Sequence, residues 1–314
     1  ELKLKLIPFN SIIFSNFSDQ QLYIQSFNNE QPLKLTHSPD LRFANGVMDS
    51  ARERLITVIE DHGGAVLEPE NKIGSVDINS GQVTTLVQGH SFFSTPVLNP
   101  ECDQLAWITW DHPDMPWDET ILWLGDIDGE GLLTNIRQVS GGHADGKKVS
   151  VQQPCFSPSG DLYFISDKTG WWNIYHLDQN SPAEGGSNVY ALEAEFGLPH
   201  WVFGLRTYDF LSTDQIICIY SRRNEDQLAI LDLAKKELKD IPLPYSSISG
   251  LSLDVEKQHL LFMGASPTNF PGIITLDLGT TESTTIKTTT ELDLEDGFFS
   301  TPQTIEFPTS NSET

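Results

Sequence analysis

The sequence has 314 residues, of which 19 are basic and 44 are acidic, so its formal charge at pH 7 is −25. This balance excludes the basic surface that nucleic-acid binding requires, and it disfavours attachment to an anionic membrane. Because 38% of the residues are hydrophobic and seven are Trp, we expect a folded core and not a disordered chain.

From its start the chain consists of short alternating runs separated by Gly, Pro, Asn and Asp, a pattern typical of strands and turns. The runs recur in six sets between residues 2 and 287, about 50 residues each, close to the period of propeller blades. In five sets an aspartate follows the third strand, and the first set has Gln25-Ser26 there. These aspartates are Asp77, Asp126, Asp178, Asp232 and Asp277. In the fourth set the predicted strands are 149–156, 162–166, 172–177 and 188–192.

The repeat predicts an all-β protein, a β-propeller with six visible four-stranded blades. A single four-stranded sheet cannot bury both of its faces, whereas stacked sheets cover one another. Two β-sandwiches are the alternative, since their strands also recur with turn signals. We expect the aromatic strands to supply the layers between blades. Six Trp residues are candidates for this packing: Trp107, Trp110, Trp123, Trp171, Trp172 and Trp201.

Motifs that carry chemistry are absent from the sequence. There is no G-x-S-x-G, P-loop, H-E-x-x-H or C-x-x-C pattern, so we predict no catalytic residues, no metal site and no cofactor in this chain. Three Cys residues, Cys102, Cys155 and Cys218, are expected to be small buried hydrophobes. No run of about 18 apolar residues occurs, and no signal peptide is visible. We therefore expect a cytoplasmic protein.

One stretch of the chain is strongly acidic. Between Lys72 and Arg137 there is no Lys or Arg but there are ten acidic residues, including Asp111, Asp114, Asp118 and Glu119. Such a sector could attract cationic ligands, for example the amino terminus of a peptide. The alternative is a solvated acidic face that keeps the protein in solution.

Five segments together resemble one family. They are IIFSNFSDQQLY (12–23), LRFANGVMDSARERLITVIEDH (41–62), LAWITWDHPDMPWDETILW (105–123), QPCFSPSGDLYFISDKTGWWNIY (153–175) and EAEFGLPHWVFGLRTYDF (193–210). The resemblance is to the N-terminal propeller of serine peptidases of the prolyl oligopeptidase family, in the branch of acylaminoacyl peptidases and dipeptidyl-peptidase-like enzymes. It implies a propeller over residues 1–297 and a connector over 298–314 that leads to an α/β-hydrolase domain.

In that family the hydrolase domain contributes the catalytic Ser, Asp and His, and the propeller usually has seven blades. We therefore expect the first blade and the catalytic domain to lie outside these residues, and the chain alone to be non-catalytic. The partners that the resemblance implies are the hydrolase domain of the same protein and short peptides.

The resemblance also implies that the propeller controls which peptides reach the active site. Candidate gate residues are Trp171, Trp172, Glu195 and Trp201, which lie in the most family-specific segments. Packing between blades is the alternative role for the three Trp. Two other functions stay open: a stand-alone scaffold for protein interactions, and an enzyme in its own right, which would need carboxylates, His or a metal brought together by the fold.

Overall fold

The computed structural model describes residues 5–7, 11–28, 31–64, 68–144, 146–177, 185–292, 295–305 and 307. The chain divides into two compact units, one of residues 1–189 with 198–205 and one of residues 190–197 with 206–314. In the described residues no helix is long and apolar enough to cross a membrane.

The first unit contains four antiparallel sheets whose strands follow chain order. Sheet 1 consists of β1 (Lys5–Ile7), β2 (Ser11–Ser15), β3 (Leu22–Ser26) and β4 (Leu33–Lys34). Sheet 2 consists of β5 (Leu41–Asp49), β6 (Arg54–Asp61), β7 (Glu70–Asp77) and β8 (Val83–Gln88). Sheet 3 consists of β9 (Phe92–Leu98), β10 (Gln104–Trp110), β11 (Ile121–Ile127), β12 (Leu133–Ala144) and β13 (Lys147–Val149). Sheet 4 consists of β14 (Val151–Phe156), β15 (Leu162–Ser166), β16 (Asn173–Leu177) and β17 (Ser187–Asn188).

The second unit contains two four-stranded sheets of the same kind. Sheet 5 consists of β18 (Tyr208–Ser212), β19 (Gln215–Arg222), β20 (Glu225–Asp232) and β21 (Glu237–Ile241). Sheet 6 consists of β22 (Ser247–Asp254), β23 (His259–Ser266), β24 (Asn269–Asp277) and β25 (Ser283–Thr288). A short 3-10 helix follows at Asp296–Phe298.

These sheets are the blades of a β-propeller, so the all-β class and the six visible blades are confirmed. Sheet 3 has the four predicted strands and a fifth one, β13, which extends it beyond β12. Val149, predicted to open the fourth blade, instead pairs with Gly142 at the end of that fifth strand. The outer strand of the fourth blade, predicted at 188–192, is limited to Ser187–Asn188. Asp178 lies outside the described residues.

The core of the first unit lies between successive sheets, because its central strands bury both faces. In β6, Leu55 and Ile59 pack towards sheet 1, whereas Ile56 and Val58 pack towards sheet 3. The same alternation holds in β10, where Trp107 belongs to the layer with sheet 2. Each large apolar side chain buried in this way stabilises the fold by roughly 1.5–3 kcal/mol. Burial on both faces also explains why β6 is an apolar run with little period-two alternation.

At one end, sheets 2 and 3 are joined by two arginines that also pair with a buried aspartate. Asp49 is fully buried, and its Oδ2 accepts a hydrogen bond from Arg54 Nε at 2.8 Å and one from Arg52 Nη1 at 3.3 Å. Arg54 Nη1 donates to the carbonyl of Gly131 in sheet 3 at 2.7 Å, and Arg52 Nη1 donates to the carbonyl of Cys102 at 2.8 Å. Two arginines of sheet 2 thereby bind turn carbonyls of sheet 3. We call this end, formed by turns 50–53, 99–103 and 128–132, the hairpin end.

We predict that Arg54→Met lowers the free energy of unfolding by about 3 kcal/mol, because it leaves the buried Asp49 carboxylate without its better partner. Urea denaturation followed by Trp fluorescence measures the change. Lys257→Met, which removes a surface ion pair with Asp254, is the control and should have a far smaller effect. An Arg54→Met protein as stable as this control would contradict the role of the pair.

Candidate functional site

The opposite end of sheets 2, 3 and 4 carries the connections between their second and third strands, whose described residues are 62–64 with 68–69, 111–120 and 167–172. Antiparallel pairing places these loops at the same end of each sheet as the connections between sheets. Contacts between sheets agree with this, since His112 Nε2 of the second loop lies 3.5 Å from Glu68 Oε2 of the first. We call this end the loop end.

Loop 111–120 is held at its start and at its finish. At the start, Asp111 Oδ2 lies 2.7 Å from His90 Nδ1, and Asp111 Oδ1 accepts the backbone N–H of Ser91 at 2.5 Å. At the finish, the Thr120 hydroxyl donates to the Val151 carbonyl and accepts the Val151 N–H, each at 2.6 Å. In between, Ser150 Oγ donates to the carbonyl of Pro116 at 2.7 Å. The loop is therefore fixed to the strands around it.

The pKa of Asp111 reflects these tethers. Burial by itself raises the pKa of this carboxyl, but the Ser91 amide and the His90 ring bonded to it have the opposite effect, and the net pKa is lowered from the usual 3.8. The carboxylate form is thus the one that the folded loop stabilises.

The acidic sector is partly neutralised by bases from outside the stretch. Lys148 forms an ion pair with Asp114 and lies 3.8 Å from Glu119 Oε2, and the Asp114 hydrogen bond raises the pKa of Lys148. His143 Nδ1 lies 3.6 Å from the same Glu119 oxygen. Asp118 is exposed, and its carboxylate contributes negative charge to the surface of the loop.

Aromatic rings line the loop end beside these carboxylates. Phe92 stacks on Trp110, with centroids 5.1 Å apart, and Trp110 lies 6.2 Å from His200. The Trp117 and Trp201 rings are 4.3 Å apart at an interplanar angle of 46°. Trp201 is nevertheless 71% exposed. An exposed Trp held against a second Trp is an available surface for a ligand.

Three of the four predicted gate residues, Trp171, Trp172 and Trp201, lie in the first unit. Trp201 contacts Trp117 of the acidic loop, so two candidate groups meet at one place. Trp171 and Trp172 lie in loop 167–172 of the same end, where Asp167 Oδ1 accepts the Ser150 N–H at 2.8 Å.

The gate role of Glu195 stays a prediction. Glu195 lies in the second unit, where its backbone pairs with Ser221, and it is half-buried. Packing between blades is wrong as the role of Trp201, and also of Trp171, which is 40% exposed. Trp107 is buried by packing, at 1% exposed, and Trp110 and Trp123 are partly buried against the apolar clusters.

Sequence reasoning missed the partners of the exposed Trp. Trp117 stands one residue before Asp118, but nothing in the spacing shows that its ring meets Trp201. His200 was also missed; it is buried, and its Nε2 lies 3.3 Å from Ser94 Oγ. Trp117 follows Pro116 and precedes Asp118 and Glu119. This pattern of a proline and two acidic residues is the local signal that could have predicted an aromatic residue in a loop. No group of three or more potential metal ligands occurs among the described residues.

Comparisons with known proteins place this geometry in context. The chain matches no family model and no curated protein sequence. It is similar to the structure of a puromycin-hydrolyzing peptidase of Mycobacterium tuberculosis, with a TM-score of 0.87 and 26% identity over 99% of this chain and 49% of that one. A puromycin hydrolase mutant complexed with PGG gives a TM-score of 0.86 at 26% identity, with the same coverage. The chain spans about half the length of these relatives.

A prolyl endopeptidase structure shares the fold. Its TM-score is 0.57 at 12% identity, over 100% of this chain and 52% of that one. Together these similarities confirm the predicted resemblance to the propeller part of prolyl oligopeptidase-family peptidases.

We predict that the Asp111 tether weakens in acid. A lowered carboxyl pKa adds stability above the usual value near 4, and this contribution is lost as pH falls through the lowered pKa. Asp111→Asn should therefore be less stable than the natural protein at pH 7, and the difference should shrink between pH 5 and pH 3. Thermal unfolding across this range measures it.

The control for this prediction is Asp214→Asn, which removes one exposed charge from the second unit. A difference between Asp111→Asn and the natural protein that stays constant with pH would show that the tether does not depend on the carboxylate.

Proposed function

We propose that this chain is the propeller part of a hydrolase that acts on short peptides and related amides. The observation that carries the proposal is the similarity to puromycin-hydrolysing peptidases, at 26% identity and over 99% of this chain. The sequence identity and the structural similarity to these peptidases extend over the same residues of this chain. The prolyl endopeptidase structure, at 12% identity, supports only the fold. The activity belongs to those relatives, and its transfer to this protein is our proposal.

In this proposal the chain does not carry the reaction itself. Acyl transfer by a serine peptidase needs a nucleophile activated by a base and donors for the oxyanion. The sequence has no G-x-S-x-G elbow. We propose that these groups come from an α/β-hydrolase domain in the part of the protein that corresponds to the other half of the relatives, and that this domain is the principal partner.

The loop end is the surface that we propose to control access. Loop 167–172 carries the exposed ring of Trp171, and loop 111–120 carries the exposed carboxylates of Asp111 and Asp118. The exposed ring of Trp201, from segment 198–205, contacts Trp117 of loop 111–120. The hairpin end, by contrast, is closed by short turns and by the ion pair of Asp49 and Arg54. Aromatic surface with a few charges suits an extended peptide, since it contacts both backbone and side chains.

A second candidate function is a scaffold that binds another protein. It is favoured by the cluster of exposed apolar residues around Trp201, which includes Met115 at 43% and Val202 at 44% exposed. Exposed apolar patches mark interaction sites. In our proposal the same patch faces peptides or the hydrolase domain, so the two functions differ in whether hydrolysis accompanies binding.

We expect the purified chain of 314 residues to release no product from puromycin or from dipeptide amides. The full product of the gene should hydrolyse such substrates and should be inactivated by a serine-reactive reagent. Chromatographic assay of the released amine measures both.

Double substitution of Trp171 and Trp201 by Ala in the full product should reduce its preference for short over long peptides, measured as the ratio of kcat/KM values. Hydrolysis by the 314-residue chain alone would contradict the division of labour, and an inactive full product would favour the scaffold.

A further inference from the structure

We propose that the paired rings of Trp117 and Trp201, together with the carboxylate of Asp118, bind an arginine side chain of a short peptide. This inference rests on the proposed function, in that it specifies which peptides the loop end prefers. Three features carry it: the fixed geometry of the two rings, the exposed face of Trp201, and the charge beside them.

The two rings are held by separate parts of the first unit. Trp117 follows Pro116, whose carbonyl accepts the Ser150 hydroxyl at 2.7 Å. Trp201 follows His200, which is buried between Ser94 and Trp110. Because both neighbours are fixed, the 4.3 Å contact between the rings joins two anchored segments. A ring that is already positioned loses little entropy when a ligand binds.

The exposed face of Trp201 is available to a planar cation. The Trp201 residue is 71% exposed although its ring contacts Trp117. A guanidinium group can stack on such a face through its planar, weakly hydrated surface, which a lysine ammonium lacks. Cation–π contact at an exposed Trp favours binding by roughly two- to fivefold. Met115 and Val202, both exposed, neighbour the two Trp in sequence and offer contacts for the arginine methylenes.

Asp118 supplies the matching charge. Its Oδ2 accepts the backbone N–H of Met115 at 3.0 Å, and its own N–H donates to the Met115 carbonyl at 2.9 Å, so the turn fixes the carboxylate next to Trp117. Lys148 forms its ion pairs with Asp114 and Glu119, and the Asp118 charge also acts on it. Asp118 itself is exposed to solvent, and a guanidinium stacked on the rings can pair with its carboxylate.

The overall charge of the chain selects against the opposite ligand. A net charge of −25 disfavours the approach of anionic ligands. An apolar peptide would gain the ring contact but not the carboxylate. The combination thus favours arginine over lysine, and lysine over leucine.

The test is binding of three blocked tripeptides, N-acetyl-Gly-Arg-Gly-amide and its Lys and Leu counterparts, to the purified 314-residue chain. Titration calorimetry and Trp fluorescence report the affinity. We expect the Arg peptide to bind about fivefold more tightly than the Leu peptide, with the Lys peptide between them. Raising the salt concentration should reduce the advantage of the Arg peptide.

Substitutions then separate the rings from the charge. Trp201→Ala should abolish the preference for Arg, and Trp201→Phe should restore part of it. Asp118→Asn should weaken Arg binding and its salt dependence. The controls are Phe27→Ala, which removes an exposed aromatic ring elsewhere in the first unit, and Asp214→Asn, which removes the same charge from the second unit; both should leave the preference unchanged.

Equal affinity for the Arg and Leu peptides would overturn this inference but leave the proposed function intact, because peptides would still bind. An equal loss in Asp214→Asn and Asp118→Asn would also overturn it, since the effect would then come from net charge. Failure of all three peptides to bind, together with an inactive full gene product, would count against the proposed function as well.

Discussion

A four-stranded sheet with apolar residues on both faces needs a neighbour on each side, and this constraint governs the rest of the first unit. Its central strands cannot leave either face to water, as β6 and β10 show with their alternating layers. The apolar side chains of the central strands are therefore used for packing between sheets. Polar and reactive groups are left to the two ends, where loops and turns emerge, and function has to be sought there.

The hairpin end and the loop end differ in how their turns and loops are held. At the hairpin end, short turns are drawn together by Arg52 and Arg54, which bind turn carbonyls of the next sheet. At the loop end, the tethers of Asp111, Ser150 and Thr120 fix the backbone of loop 111–120 but leave side chains exposed. One end is thus closed by its own hydrogen bonds, and the other has fixed backbone with free aromatic surface. That difference is the reason for assigning peptide contact to the loop end.

Much of the fold could be predicted from the sequence, because the period of strands and turns repeats locally. The turn aspartates mark this repeat: Asp77 Oδ1 accepts the N–H groups of Asn79 and Ser80, and Asp277 does the same for Gly279 and Thr280. The fifth strand of sheet 3 was not predictable in this way. It depends on Gly141 and Gly142, both at positive φ, which turn the end of β12 so that it pairs with β13.

The candidate site was predictable only in part. Local composition identified the acidic loop and the Trp residues, but contacts between distant segments decide what they do. Trp201 meets Trp117 across more than eighty residues of sequence, and Lys148 reaches back to Asp114 from outside the acidic stretch. The exposure of Trp201 opposes the general tendency of Trp to be buried. This departure from the usual burial of Trp supports a functional hypothesis for Trp201.

The central claim is that short peptides contact the loop end, and backbone hydrogen exchange of the chain with and without a saturating tripeptide tests it most directly. The account predicts slower exchange of amides in residues 111–120 and 198–205 when the peptide is present, and unchanged exchange in the hairpin-end turns 99–103 and 128–132. Protection confined to the hairpin end, or none at the loop end, would contradict it.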